Sequence, residues 1–292
     1  MANLDLRPLS LGEILDRTFS LYRRNFLLFA GITALPQLLI LALNLAQTTL
    51  TRFPTPPGQP GRQPVEQFQS PASSGLVAFG IVGVLVGIVV YLVAYLFAQG
   101  GTVYAVSELY LGRATSIGAS LRRMRGQLGS LFGVILLNGL AVMGAALFLI
   151  IPGIYVACRL IACVPAALLE DLGPRSSLER SFRLTKGNAG RSFVIYLLYF
   201  ILLYGAILLF SFPFLFAAGL SAKNPGTMRM WMALGQVGEF VAGVLVGPFL
   251  TIATAVFYYD LRVRKEAFDL QIMMNPSGNI PSGPADVPTM LS

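Results

Sequence analysis

Between Arg191 and Lys223 the chain reads SFVIYLLYFILLYGAILLFSFPFLFAAGLSA over residues 192–222, a run without a charged side chain. An ionisable group costs a few kcal/mol or more at the centre of a bilayer, so charges collect at its borders and long uncharged runs mark crossings. Similar runs lie between Arg24 and Arg52, Glu66 and Glu108, and Arg125 and Arg159; a last one, Arg229 to Asp260, is broken only by Glu239. A spanning helix needs about 20 residues for a hydrocarbon core of about 30 Å, so each run can cross. Composition agrees. Only 12% of the 292 residues are charged, 55% are apolar, and the mean hydropathy is +0.71. A soluble domain carries roughly 25% charged residues, about twice the polar coat available here.

The run ending at Arg159 holds two passes. Pro152 cannot continue the preceding helix but suits the first turn of a new one, and Gly153 eases the reversal, so a tight hairpin is expected. Its second arm, 153–169, is short and either thins the bilayer or enters without fully crossing. The expected fold is an all-α polytopic bundle of about six spans, 26–50, 76–98, 128–151, 153–169, 193–219 and 230–259, within one membrane domain over residues 1–274. Residues 52–75, rich in Pro, Gly, Gln and Ser, read as an irregular outer loop. Residues 275–292 read as a disordered cytoplasmic tail.

Six spans set the sidedness. Arg52, Arg62, Lys223 and Arg229 fall on one side and Arg159 inside a span, while the other sixteen of the 21 Lys and Arg fall on the side of both termini. The positive-inside rule makes that side cytoplasmic. The net charge of +8 is then a property of one membrane face, suited to anionic lipid headgroups. Nucleic acid is not an expected partner, since no basic-aromatic module or separate soluble domain accompanies the charge. No signal peptide is apparent.

Three cytoplasmic segments, 10–25, 115–127 and 176–188, read as amphipathic interfacial helices. Ser10-Leu11-Gly12-Glu13 is a capping box. After it Leu11, Ile14, Leu15, Thr18, Phe19, Tyr22 and Phe26 share one helical face, with Glu13, Asp16, Arg17, Arg23 and Arg24 on the other. Ser176-Ser177-Leu178-Glu179 opens the same way. Leu15-Asp16-Arg17-Thr18-Phe19-Ser20-Leu21 matches Leu178-Glu179-Arg180-Ser181-Phe182-Arg183-Leu184, and the middle segment shares the stripe through Ile117, Leu121 and Met124. Each is followed by a cation (Arg23, Arg125, Lys186) and, two residues later, an amide (Asn25, Gln127, Asn188). The expectation is a pseudo-threefold repeat of helix plus hairpin. Its stripes are membrane anchors on one reading; on another they are three collars that gather anionic lipid or dock a membrane-protein partner. The candidate headgroup contacts are Arg17, Arg23, Arg24, Arg122, Arg123, Arg125, Arg180, Arg183 and Lys186.

Chemistry is sparse. With no histidine, Ser-His-Asp and Cys-His catalysis and His-ligated zinc are excluded. Cys158 and Cys163 form neither a disulfide framework nor a metal site by spacing, and no cofactor is expected. Arg159 lies about 9 Å along its short helix and Glu239 about 14 Å along its long one from the outer face, so an intramembrane pair is expected between them. That pair either fixes helix packing or serves a small-solute or lipid transporter. Gln37, Asn44 and Asn138 are read as bonds across helices, Pro36, Pro165, Pro213 and Pro248 as kinks, and Glu170, Asp171 and Glu179 as caps and salt bridges.

Several motifs carry a resemblance. They are Leu6-Arg7-Pro8-Leu9-Ser10-Leu11-Gly12-Glu13-Ile14-Leu15-Asp16-Arg17-Thr18-Phe19, the Pro152-Gly153-Ile154-Tyr155 turn, Glu170 with Gly173-Pro174, Ser181-Phe182-Arg183-Leu184-Thr185-Lys186-Gly187, and Tyr259-Asp260-Leu261-Arg262-Val263-Arg264-Lys265-Glu266 with Phe268-Asp269-Leu270. Together they resemble the bacterial integral membrane proteins grouped with the membrane domain of glycerophosphoryl diester phosphodiesterase. Ala267 stands where that pattern often has Gly. The resemblance implies a stand-alone module of the bacterial plasma membrane without the soluble catalytic barrel to which such regions are fused. The chemistry attributed to that barrel, metal-assisted and dependent on histidine, has no counterpart here. The expectation is a non-enzymatic, lipid-associated scaffold or accessory module.

Overall fold

A computed structural model of the chain describes residues 8–50, 71–110, 112–124, 126–221 and 224–266. The expected outer loop as far as residue 70, Arg125 and the tail 275–292 lie outside the described residues. Within them the protein is all-helical: α1 Leu11–Arg24, α2 Phe26–Leu50, α3 Pro71–Tyr110, α4 Ile117–Met124, α5 Leu128–Phe148, α6 Ile150–Arg159, α7 Cys163–Leu169, α8 Pro174–Leu184, α9 Ala189–Phe210, α10 Phe212–Leu220 and α11 Pro225–Glu266. Six stretches are long and apolar enough to cross a membrane: Phe26–Ala46, Gly83–Tyr110, Leu128–Phe148, Ile150–Leu169, Ala189–Phe210 and Gly226–Glu266. The chain is a helical membrane protein.

Several boundaries differ from the expected ones. Helix α3 starts at Pro71, inside the expected loop, because proline's fixed φ suits a first turn. The 193–219 span is two helices. Pro213 has no N–H for the carbonyl four residues before it, and the N–H groups of Phe214 and Leu215 turn to the Ser211 carbonyl (3.2 and 3.1 Å), breaking the ladder at Ser211. Pro36 and Pro248, in contrast, sit inside unbroken α2 and α11. The 153–169 arm also breaks, into α6 and α7 at residues 160–162.

The chain divides into two compact units. The first comprises Met1–Thr33, Leu96–Gly205 and Val244–Ser292. Its centre is the end of α11, where Ile252, Ala253, Val256, Phe257, Tyr258, Tyr259 and Leu261 are all at most 1% exposed. Around them pack Leu9 and Ile14, Phe29 and Ile32 of α2, Val106 of α3, Ala162 and Ala166 beside and in α7, Leu184 of α8 and Ile195 of α9. A helix apolar on every side is stable only when enclosed on every side.

Within the second unit, Ala34–Tyr95 and Ala206–Gly243, helices approach one another through glycines. A Cβ on Gly238 would come within 2.7 Å of the Phe210 carbonyl carbon, one on Gly87 within 2.8 Å of Leu43, and one on Gly243 within 2.6 Å of Gln37. Small residues let helices approach where lipid supplies no hydrophobic drive to associate.

The three expected interfacial segments are α1, α4 and α8. The capping box of α1 is present: Glu13 N–H donates to Ser10 Oγ (3.3 Å) and Ser10 N–H to Glu13 Oε2 (2.6 Å). Helix α8 does not begin that way. It starts at Pro174 with Gly173 as N-cap, and Ser177 Oγ donates back to the Gly173 carbonyl (2.8 Å). Its enclosed face also differs from the expected stripe: Ser177, Arg180, Ser181 and Leu184 are buried, whereas Leu178 and Phe182 are only partly covered. Equivalently placed residues nonetheless share local roles. Thr18, Ser120 and Ser181 are each buried. The carbonyls of Asn25, Gln127 and Asn188 accept the opening bonds of the next helix, from Phe29 (3.2 Å), Leu131 (2.9 Å) and Ser192 (3.2 Å).

Candidate functional site: a buried ion network

Charge gathers in the first unit where α7, α8 and α11 meet. Glu170 follows the last turn of α7 and is 4% exposed; Arg180 projects from the buried face of α8; Tyr258, Arg262 and Glu266 occupy successive turns of α11. Arg180 forks between two carboxylates. Its Nε donates to Glu170 Oε2 (2.8 Å) and its Nη2 to Glu170 Oε1 (2.9 Å) and Glu266 Oε2 (2.8 Å), while Nη1 donates to Glu266 Oε1. Tyr258 donates its hydroxyl to Glu170 Oε1 (2.7 Å), and Arg262 donates Nε to Glu266 Oε2 (3.1 Å). Burial alone would lower the pKa of Arg180, but hydrogen bonds to Glu266 and Glu170, with their charges, outweigh it and raise it. Two carboxylates against two guanidinium groups leave the cluster neutral, which is what makes its burial tolerable.

A second cluster ties the N-terminal segment down. Asp260, 1% exposed, accepts the Leu9 N–H at Oδ1 (2.7 Å), Arg191 Nη1 at Oδ2 (2.8 Å) and Arg264 Nε (3.0 Å). The Leu9 carbonyl in turn accepts Arg191 Nη2 (2.6 Å) and Arg264 Nη2. Both backbone polar groups of Leu9, its N–H and its carbonyl, are thus held by side chains of α9 and α11, and its own side chain is buried.

The end of α8 is a third junction. Arg159 donates to the Phe182 carbonyl, to Thr185 Oγ1 (3.2 Å) and to the Tyr155 hydroxyl (3.0 Å). Lys265 Nζ donates to the carbonyls of Arg183 (3.0 Å) and Lys186 (2.8 Å). Cations at a helix C-terminus satisfy its free carbonyls and oppose its dipole.

The expected site residues therefore separate. Arg159 finds its partners in α6 and α8 rather than in a carboxylate; Glu239, expected to pair with it, is exposed on α11 in the second unit. Arg180 is a correction: 4% exposed and held by two carboxylates, it offers nothing to a headgroup. Arg17 donates to the Tyr110 hydroxyl (3.1 Å). Arg123 is exposed but paired with Glu108 (2.8 Å), and lies over the Tyr104 ring. Arg23, Arg24, Arg122, Arg183 and Lys186 are exposed.

Two open hollows lie on these faces. One, of ≈ 560 Å³, is lined by Phe19, Ser20, Tyr22, Arg23 and Arg24 of α1. The other, of ≈ 570 Å³, is lined by Ser116, Gly118, Ala119, Arg122 and Arg123 at α4. Among the described residues no three His, Cys, Asp or Glu side chains come together as a metal would require. Cys158 and Cys163 are free and buried.

Leu9, Arg191, Tyr258, Asp260, Arg262 and Glu266 were not expected as site residues. A usable signal exists in α8, where Arg180 shares the face of Ser177, Ser181 and Leu184: a charge among small residues at helical spacing marks a packed face. No known family pattern, characterised protein or solved structure matches the chain.

Proposed function

We propose that the chain is a non-enzymatic module of the bacterial plasma membrane that gathers anionic lipid headgroups on its cytoplasmic face, as a scaffold or accessory to other membrane proteins. The observation that carries this reading is a division among the cations. Arg180, Arg191, Arg262 and Arg264 are taken up by the carboxylates of Glu170, Asp260 and Glu266, whereas Arg23, Arg24 and Arg122 face outward from α1 and α4 beside open hollows. Phe19 and Tyr22 flank Arg23, the aromatic-plus-basic pairing suited to the boundary between acyl chains and phosphates. The resemblance to the membrane domain of glycerophosphoryl diester phosphodiesterase supports a membrane module over residues 6–270.

The test is native mass spectrometry of protein recovered from vesicles of equal parts phosphatidylglycerol and phosphatidylcholine. Phosphatidylglycerol should be retained preferentially, and the preference should fall in the combined Arg23→Glu, Arg24→Glu, Arg122→Glu variant. Retention indifferent to headgroup charge would overturn the reading. So would solute flux through the same vesicles that Arg159→Ala abolishes, which favours transport, or hydrolysis of a lipid phosphodiester by the pure protein.

A further inference from the structure

We propose that the α5–α6 hairpin does not cross the bilayer but enters and leaves by the face that carries Lys265, burying its tip, Leu147–Ile151, among the acyl chains of that leaflet. The inference rests on the membrane reading and not on headgroup capture, so either can fail without the other.

The level of Arg159 comes first. It ends α6, and it grips the same end of α8, residues 182–186, that Lys265 grips from α11. Arg183, Lys186 and Lys265 are exposed there, and exposed ammonium and guanidinium groups belong to water and headgroups. Arg159 therefore stands at a membrane border, with Tyr155 one turn further in, as interfacial aromatics are placed.

Reach comes second. From that border to the tip there is only α6, 10 residues long, or about 15 Å at 1.5 Å per residue. The hydrocarbon core is about 30 Å thick. Helix α5 is longer, but its first half runs beside α7 and α8, with Val134 packed on Cys163 and Ala167 and Gly133 facing Pro174. Gly153 lies against Ala146, where a Cβ would come within 2.7 Å, which fixes the antiparallel register and leaves α5 no further reach than α6.

The chemistry of the tip comes third. Leu147, Phe148, Leu149, Ile150 and Ile151 are 86, 86, 66, 75 and 78% exposed, five large apolar side chains in sequence at a turn. A turn standing in water would carry polar residues. The break is also short: Leu149 N–H still reaches the Ala145 carbonyl (3.4 Å), and Gly153 N–H reaches the Leu149 carbonyl (3.3 Å). The occupant that fits this surface is lipid acyl chain, and the hairpin takes up area in one leaflet only.

Trp231 is the single tryptophan, so a Trp231→Phe, Phe148→Trp chain carries one reporter at the tip. In vesicles of phosphatidylcholine brominated at different depths, its fluorescence should be quenched several-fold more by bromines near the chain ends than by those near the headgroup. In parallel, Leu149→Cys should resist a charged, impermeant maleimide from both sides, with the parent chain and its buried Cys158 and Cys163 as baseline. Labelling from the face opposite Lys265 would mean a full crossing, and labelling from the Lys265 face would mean a tip in water. Either result, or quenching strongest at the headgroup, overturns the proposal.

Discussion

Arg180 carries more of the first unit's specificity than its position on a surface-type helix implies, because its fork is filled on both sides. Removing one partner from a buried, bonded pair leaves an uncompensated charge, which costs about 3–5 kcal/mol. Glu170→Ala should lower stability by that amount, read as an earlier thermal unfolding in detergent. Arg180→Lys should fail to preserve the parent melting point, since an ammonium cannot bridge two carboxylates in the plane that the guanidinium spans. Leu9 offers a backbone counterpart. Leu9→Pro deletes the N–H that Asp260 accepts at 2.7 Å, leaving a buried carboxylate oxygen short of a donor. The expected cost is about 1–3 kcal/mol, with faster protease release of the N-terminal segment as the second readout. These residues were hard to read in advance. Asp260 and Arg262 follow the run Phe257-Tyr258-Tyr259, where they look like the charged end of a span. Besides their i,i+4 partners Arg264 and Glu266, they meet Arg191, Leu9 and Glu170, 69 and more residues away, and no local pattern encodes those pairings.

At the level of helices, length and apolar content were legible, because both follow from the thickness of a hydrocarbon slab. Breaks were less so. Pro213 splits its helix while Pro36 and Pro248 sit inside unbroken ones, and proline alone does not encode which. Sides of helices were the least legible: the α8 stripe pointed to Leu178 and Phe182, yet the hydroxyl face of Ser177 and Ser181 is the enclosed one. Ser177 bonds back to the Gly173 carbonyl and Ser181 across to the Arg159 carbonyl, so both hydroxyls are satisfied and the face packs as a small surface, which a hydropathy pattern scores as polar. Close approach gives a sharp test. Gly238→Ala should destabilise by about 1–3 kcal/mol, because the new methyl meets backbone at Phe210, which cannot swing aside. Gly247→Ala, with nothing within 4 Å, should be neutral or slightly stabilising by helix propensity. Unfolding temperatures of the two variants in the same detergent decide the comparison.

For the molecule as a whole, sidedness is the expectation on which lipid capture depends. Lys186→Cys should react with an impermeant maleimide only after the cytoplasmic face is opened, and Arg24→Cys should behave the same way. Reaction of either in intact cells would place the arginine-bearing faces outside and remove the argument for anionic lipid there.

The anchoring of the Leu9 backbone has one more consequence, for biogenesis. Its acceptor in α11 follows it by 251 residues. At a ribosomal rate of about 5–20 residues per second, the first segment waits roughly 10–50 s for its clasp to be made. During that interval earlier helices are already leaving the translocon, so the fold is fastened by a late closing step rather than built strictly in order. A nascent chain stalled before Asp260 emerges should remain open to trimming at its start, and one released beyond Arg264 should not.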